Sequence, residues 1–561
     1  MTALPRAGEL SPRAIDELRP AAATIPGSMQ PYALTLDKFI DHAAKWHGTA
    51  EVVTGGEGGS ARIGYAALRD RANRLSAALA ALGLGTGDNL ATLAWNSQAH
   101  MECWYGAMAV GIVCHTLNPR LAPAHLAGMI HQAGNRVLAI SPGLAPLVED
   151  LVGRCPTIEH VIVFDEPGVD AAPPVLNTAQ VWRLEYLLAK HGAPSLWGGF
   201  DENAPAGLCF TSGTTGAPKG VTYTHRSNYL HTVHALAADV IGVTARDVVL
   251  VGVPMFHANG WGFAFAGPAS GAKLVMPGRN LDGASLARLI VDEGVTVAAG
   301  VATLWLGLVD HLERTGEDVP SLTRVLLGGA PVPQALMERL EQRLGAVVQT
   351  SWGMTELSPV GAITAANHAD RRADRSGKPP LGIDLRLTDE HGTPLPEQRK
   401  TEGRLQVRGA SAVERYFGHD TSATDAEGWF DTGDLARLDA DGTLAITGRA
   451  KDLIKSGGEW INPGEIEAIV GALPEVALVA VIGRAHEKWG ERPVLVVEPR
   501  KGSELTDERL LRALRGRIAS WWLPDEIVHV AAMPLALTGK IDKMKLRREF
   551  GGAVPRAVPA A

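Results

Sequence analysis

Cysteine is scarce. Cys103, Cys114, Cys155 and Cys209 are the four in 561 residues, and no two form a Cys-x-x-Cys pair. That excludes the usual zinc-knuckle spacing and a disulfide framework, and it reads as buried thiols in a reducing compartment. Positive charge is not in excess either. Lys and Arg number 53 against 61 Asp and Glu, a net charge of −8. General nucleic-acid binding is thereby disfavoured, while local basic patches for an anionic cofactor stay open. No apolar run is long enough for a bilayer. The longest weakly charged one, Val295 to Val309, falls short of the roughly 18–20 residues required, and Gly and Thr interrupt it. The N-terminus carries charges where a secretory signal needs an apolar core. There is no internal repeat, and Ala/Pro-rich composition is confined to the two tails. The expectation is a soluble cytoplasmic protein with no nucleic-acid partner and no membrane span.

What is present is enough apolar residue, 46% against 20% charged, for large cores. The length suggests three to four units of about 150 residues each. Residues 1–34 read as a loose arm. From about 35 to 330 helical and strand-like runs alternate. "YAALRDRANRLSAALAAL" has helical spacing and ends at Gly83, "NLATLAW" reads as strand, "HMECWYGAMAVG" as helix and "RVLAIS" as strand. Such alternation predicts α/β layers on largely parallel sheets. "TRVLLGGAPVPQALMERLEQRLG" gives a strand, a Gly-Gly turn and an amphipathic helix stopped by Gly345. Between about 375 and 449, "IDLRLTDEHGTPLP", "GRLQVRG" and "GTLAITGR" are short strands of a small β-rich unit. "RAKDLIKSGGEW" reads as a charged connection, with a boundary near Lys451. Residues 450–551 mix helix and strand, and 552–561 form a flexible tail.

Four stretches carry chemistry. "TSGTTGAPKG", Thr211 to Gly220, follows a buried strand end. Its glycines permit close backbone approach, and successive N–H groups, hydroxyls and Lys219 suit an anion. It is not a Walker loop, because Ala217 and Pro218 precede Lys219 and Gly220 stands where Ser or Thr belongs. Alone, it fits a phosphate cradle or a flexible turn. "SWGMTE" places Ser351, Trp352, Gly353, Thr355 and Glu356 at a strand end, where Glu356 is a Mg²⁺ ligand or a solvated carboxylate. The third stretch runs from Gly428 to Glu467. It sets Asp434 after Gly433, gathers the cations Arg449, Lys451 and Lys455, and leaves Gly457 and Gly458 free to pass something narrow. The alternative is a solvated linker. In "LTGKIDKMKLRREF", a Gly-containing turn aims Lys540 away from a basic helix.

These motifs, in this order over residues 35–550, resemble the adenylate-forming superfamily of acyl-CoA synthetases, peptide-synthetase adenylation domains and luciferase-type enzymes. "DLIKSGGEWI" and "AHEKWGERPVLVV" are most similar to medium- and long-chain fatty-acyl-CoA synthetases and to ligases for methylthiopropionate. The resemblance implies an N-terminal domain (35–449) of two α/β subdomains plus a small β-barrel-like subdomain, followed by a small mobile α+β domain (450–551). It implies that a carboxylic acid and ATP give an acyl-adenylate and pyrophosphate, and that CoA then gives the thioester and AMP.

It also implies roles. Thr211, Ser212, Gly213, Thr214, Thr215, Gly216 and Lys219 hold the β- and γ-phosphates. Thr211 and Glu356 bind Mg²⁺, and Thr355 meets the α-phosphate. Gly329, Ala330 and Pro331 line the adenine pocket with Ser351, Trp352 and Gly353, and Trp352 stacks on the nucleotide. Asp434 takes the ribose hydroxyls, helped by Arg449. Lys540, with Thr211 and Glu356, carries adenylation, and Lys451 is the hinge. Gly457, Gly458 and Trp460 border the CoA channel, with Lys455 near the adenylate. His257 and Trp261 face the acyl group, and Phe263, Phe265, Val301 and Trp305 make an apolar surround. No carrier-like segment follows residue 550. The resemblance extends to a homodimer.

Overall fold

The computed structural model describes residues 28–56, 59–169, 171–211, 218–330, 332, 334–368, 371–457, 459–536 and 540–552. Ser212, Gly213, Thr214, Thr215, Gly216, Pro331 and Gly458 therefore lie outside the described residues.

Two large sheets dominate. One runs Val360–Ile363, Val347–Gly353, Arg324–Leu327, Val297–Gly300, Val248–Val251, Lys273–Met276, Glu51–Gly56, Gly59–Gly64 from edge to edge. Its inner pairings are parallel and only the two edge pairings are antiparallel. The other runs Gln180–Arg183, His160–Val163, Val137–Ile140, Asn89–Leu93, Val113–Leu117, Pro205–Phe210, Gly220–Thr224, and is antiparallel only at the last pair. The β-α alternation read from sequence gives this result because each parallel pair needs a crossover, and the intervening amphipathic runs supply helices. Helices Asp37–Trp46, Tyr65–Ala81, Gln98–Met108 and Phe263–Ser270 lie between the sheets. Their Tyr65, Trp104, Tyr105, Phe263 and Phe265 are 0–1% exposed and share one core with Val52, Val249 and Leu274 of the first sheet and Ala206 of the second.

Phe265 packs on Trp104 and Tyr105 inside that layer. Trp305 belongs to a separate core with Leu286 and Leu308. The expected apolar acyl surround is thus reduced, since Phe265 and Trp305 are spent on helix packing.

The β-rich unit is an open sheet and not a barrel. Ile383–Thr388, Glu402–Gly409, Phe430–Leu438 and Leu444–Arg449 form an antiparallel meander whose first and last strands do not pair. Closure is unnecessary because its apolar face is covered from outside: Leu387, Val407 and Ala436 pack with Tyr223, Trp352 and Leu357. The predicted connection at 449–460 is also structured. A short 3-10 turn, Ala450–Asp452, leads into the hairpin Ile454–Ser456 and Glu459–Ile461. This hairpin joins a fourth sheet, built on the long pair Val476–His486 and Gly490–Pro499 and backed by helices Pro463–Gly471 and Asp507–Leu514. No helix among the described residues is long and apolar enough to cross a membrane.

Candidate active site

The site forms where the first sheet, the meander and the C-terminal domain meet. Asp434 and Arg449 are direct cross-strand partners in the meander. That register lays the guanidinium on the carboxylate, with Nε 2.6 Å from Oδ1. The Trp352 indole N–H donates to Oδ2 at 2.9 Å. Asp434 is 2% exposed and Trp352 8%. Burial pushes the Asp434 carboxyl above its ordinary value, while Arg449, Trp352 and Lys540 pull it back. Two carboxylate oxygens offer about four lone-pair sites, and these two donors leave acceptor capacity for a pair of hydroxyls. The Trp352 ring lies against Gly361, where a Cβ would come within 2.3 Å of it. Its hydrogen bond to Asp434 was not foreseen from sequence.

Thr211 and Lys219 form a pinned neck. Phe210 pairs with Gly220 across the last strand pair of the second sheet. Thr211 N–H then donates to the Lys219 carbonyl at 2.9 Å, and Lys219 N–H to Thr211 Oγ1 at 3.1 Å. Glu356 sits in a 3-10 turn, Thr355–Leu357, at the end of strand Val347–Gly353. Tyr223 O–H donates to the Thr355 carbonyl at 2.7 Å, tying that turn to strand Gly220–Thr224. Burial raises the Glu356 carboxyl, and Tyr416, Arg449 and Lys219 oppose it. Sequence reasoning passed over Tyr416. Its O–H donates to Glu356 Oε1 at 2.9 Å, and Lys219 Nζ stands 4.6 Å from its ring centre. The only cue was the aromatic pair Tyr416–Phe417 in "AVERYFG".

Gly329 has φ +83, a left-handed position, and faces Val301. At the preceding Gly328 a Cβ would lie 2.4 Å from Ser351 Oγ and 3.0 Å from the Trp261 ring. Ser351 Oγ donates to the Leu327 carbonyl at 3.1 Å. Ala330 follows, half-buried. Gly353 admits no side chain, because the Pro359 carbonyl would be 2.2 Å from its Cβ. Trp261 reaches Gly328 from a left-handed run, Ala258 to Gly262, with φ between +39 and +76. Three non-glycine residues in that region cost about 1–2 kcal/mol each, so the packing around Trp261 must hold the turn in place.

Lys540 enters from the C-terminal domain. Burial lowers its ammonium, helped by Arg449 and Lys451, while Asp434 and Glu356 oppose. His257 is held near pKa 4 by burial, with Lys540 and Arg120 adding to the depression. The structure therefore brings Lys540, Asp434, Arg449, Glu356 and His257 to one place. Lys455, Gly457 and Trp460 are not brought there. Lys455 pairs across its hairpin with Trp460 and takes an N–H contact to Glu491, and Gly457 N–H donates to the Trp489 carbonyl. No group of three or more His, Cys, Asp or Glu side chains among the described residues forms a metal cage. The Thr211 hydroxyl and Glu356 carboxylate are hard oxygen donors, a set that fits Mg²⁺ arriving with a triphosphate.

The site thus joins a large α/β domain, a buried Asp434 held by Arg449 and Trp352, and Lys540 of the C-terminal domain. The chain belongs to the AMP-binding enzyme family, which matches residues 39–417, and the family's C-terminal domain matches 465–540. A 3-methylmercaptopropionyl-CoA ligase of Ruegeria lacuscaerulensis is 40% identical, covering 94% of this chain and 99% of the relative. A medium-chain-fatty-acid–CoA ligase of Ectopseudomonas oleovorans is 38% identical over 95% and 98%. The crystal structure of an anthranilate CoA ligase with anthranoyl-AMP matches the fold with TM-score 0.82 at 22% identity, over 94% of this chain and 99% of that one. The chain is an acid–thiol ligase that works through an acyl-adenylate.

Proposed function

We propose that the chain joins an apolar carboxylic acid, of the fatty-acid class, to CoA, with Lys540 as the adenylating lysine. The observation that carries this reading is that Lys540, on one domain, lies within electrostatic reach of Asp434, Arg449 and Glu356 of the other. In the first half-reaction an acid oxygen attacks the α-phosphorus and the bond to pyrophosphate breaks. Negative charge grows on the α-phosphoryl oxygens, and a positioned ammonium stabilises it while aligning the acid. Asp434, held by Arg449 and Trp352, fixes the ribose. Lys219 and the loop neck at Thr211 face the β- and γ-phosphates, and Thr355 the α-phosphate. Thr211 and Glu356 hold Mg²⁺, which offsets phosphate charge when bound. For the second half-reaction the C-terminal domain turns about Lys451. Lys540 withdraws and the hairpin with Lys455, Gly457 and Trp460 approaches, which separates the two steps. The Ala450–Asp452 turn between the two domains' sheets supports a hinge there.

A shorter thioether acid, 3-methylthiopropionate, is the second reading. It is favoured by the 40% identical relative and by Trp261 seated on Gly328, which narrows the acyl side. A panel of C3 to C18, methylthio and aryl acids, read by AMP release with CoA or a carrier protein as acceptor, separates these. Lys540→Ala tests the core of the proposal. Thioester formation from acid and ATP falls by at least about 100-fold, while a supplied acyl-adenylate still reacts with CoA. Near-normal activity from acid and ATP overturns it. By likeness to fatty-acyl-CoA synthetases the enzyme is a cytoplasmic homodimer, which sedimentation checks for the assembly.

A further inference from the structure

The geometry points to Tyr416 as a positioning residue that joins the phosphate loop's lysine to the carboxylate of Glu356 and sets both for the triphosphate end of ATP. The inference rests on the proposed roles of Lys219 and Glu356. Four contacts converge on one short segment, residues 413–417. Val413 N–H donates to the Glu356 carbonyl at 2.8 Å, and Phe417 N–H donates to the Gly220 carbonyl at 2.8 Å. Between them the Tyr416 side chain meets both functional groups at once, its O–H on Glu356 Oε1 at 2.9 Å and its ring under Lys219 Nζ at 4.6 Å.

Each contact has a chemical consequence. A phenol O–H can donate to only one carboxylate oxygen at a time, so it fixes the rotation of Glu356 and leaves Oε2 for a cation. The ring face attracts an ammonium by its quadrupole, which keeps a long, flexible lysine at the neck of the loop before the phosphates arrive. The segment is anchored to both partners by backbone. At Gly220 a side chain would collide with Phe417, since a Cβ would lie 2.9 Å from that residue's Cβ. The loop neck, the Glu356 turn and Tyr416 therefore move as one body.

The two halves of the phenol separate by substitution. Tyr416→Phe keeps the ring and removes the hydrogen bond, and Tyr416→Leu removes both. The measurement is calorimetric binding of ATP and of AMP, each with and without Mg²⁺, to the full chain. Removing a hydrogen bond to a charged group predicts that Tyr416→Phe weakens Mg²⁺·ATP about tenfold. AMP, which lacks the β- and γ-phosphates, changes less than about twofold. Without Mg²⁺ the gap between wild type and Tyr416→Phe closes. The further loss in Tyr416→Leu persists, because Lys219 acts on phosphate directly. In turnover the ATP KM rises, while conversion of a supplied acyl-adenylate with CoA stays at the wild-type rate. Unchanged Mg²⁺·ATP binding in Tyr416→Phe, or equal loss for ATP and AMP, overturns the assignment. Glu356→Gln is the control for the underlying reading. If its ATP binding keeps the wild-type Mg²⁺ dependence, the metal role of Glu356 fails, independently of what Tyr416 does to Lys219. Should Tyr416→Leu not fold, the Tyr416→Phe comparison with and without Mg²⁺ carries the test alone.

Discussion

Trp352→Phe asks what the tryptophan of "SWGMTE" does. As a stacking surface for the nucleotide, Phe would replace it with modest loss at every pH. As the donor to Asp434 Oδ2 at 2.9 Å, it acts on the carboxylate's ionisation. A hydrogen bond to a charged acceptor is worth about 1.5–3 kcal/mol, against about 0.5–1.5 for a neutral one. The difference between ionised and protonated Asp434 is therefore about 1 kcal/mol, and losing the donor should raise the Asp434 pKa further. The sign follows from burial, which already raises this carboxyl, and from Trp352, which opposes the rise. Protonated Asp434 loses an acceptor for the ribose, so AMP binding falls as pH drops through its pKa. In Trp352→Phe that fall begins at higher pH. Calorimetric AMP binding between about pH 5 and 8 on both proteins measures it. A uniform loss of affinity with an unmoved midpoint would refute the hydrogen-bond account and leave stacking.

Three further outcomes are expected. Gly328→Ala places a Cβ 2.4 Å from Ser351 Oγ and 3.0 Å from Trp261. Overpacking of about 1–3 kcal/mol should lower kcat/KM for adenylation and change the ranking of acids by chain length, read in the acid panel. His257 stays neutral from pH 5.5 upward because its pKa sits near 4. In Lys540→Ala the imidazole midpoint rises, since the nearby ammonium helps depress it, as proton NMR of labelled histidines would show. Arg547→Ala cuts the 2.8 Å ion pair to Asp452. This pair ties the Lys543–Phe550 helix that follows Lys540 to the Ala450–Asp452 turn proposed as the hinge, so adenylation should slow more than the CoA step when the half-reactions are timed separately.

Much of the site was legible because its chemistry sits in contiguous motifs. Taken singly, the Thr211–Gly220 stretch, Thr355–Glu356, Asp434 and Lys540 also fit polar turns or solvated charges, and it is their order along the chain that carried the family resemblance. The partners that orient them did not stand out. Tyr416 is one aromatic in an unremarkable segment. The Trp352–Asp434 bond joins residues whose motifs read as separate. Phe265 and Trp305 suit an acyl pocket by composition, yet each fills a helix-packed core. The barrel-like subdomain came from the family resemblance, and the short strands themselves say nothing about whether the ends of a sheet meet.

The sequence by itself determined local events: alternating strands and helices, the loop at Thr211–Gly220, and a family resemblance carried by ordered motifs. Periodicity and turn chemistry act over a few residues, so they can be read along the chain. Only the tertiary structure decided which side chains share a charge environment. Lys540 and Asp434 interact because one domain packs on another, and Tyr416 meets both Lys219 and Glu356 because backbone bonds at Val413 and Phe417 hold one segment against two others. Such contacts depend on register and packing across long sequence separations, which no local pattern encodes.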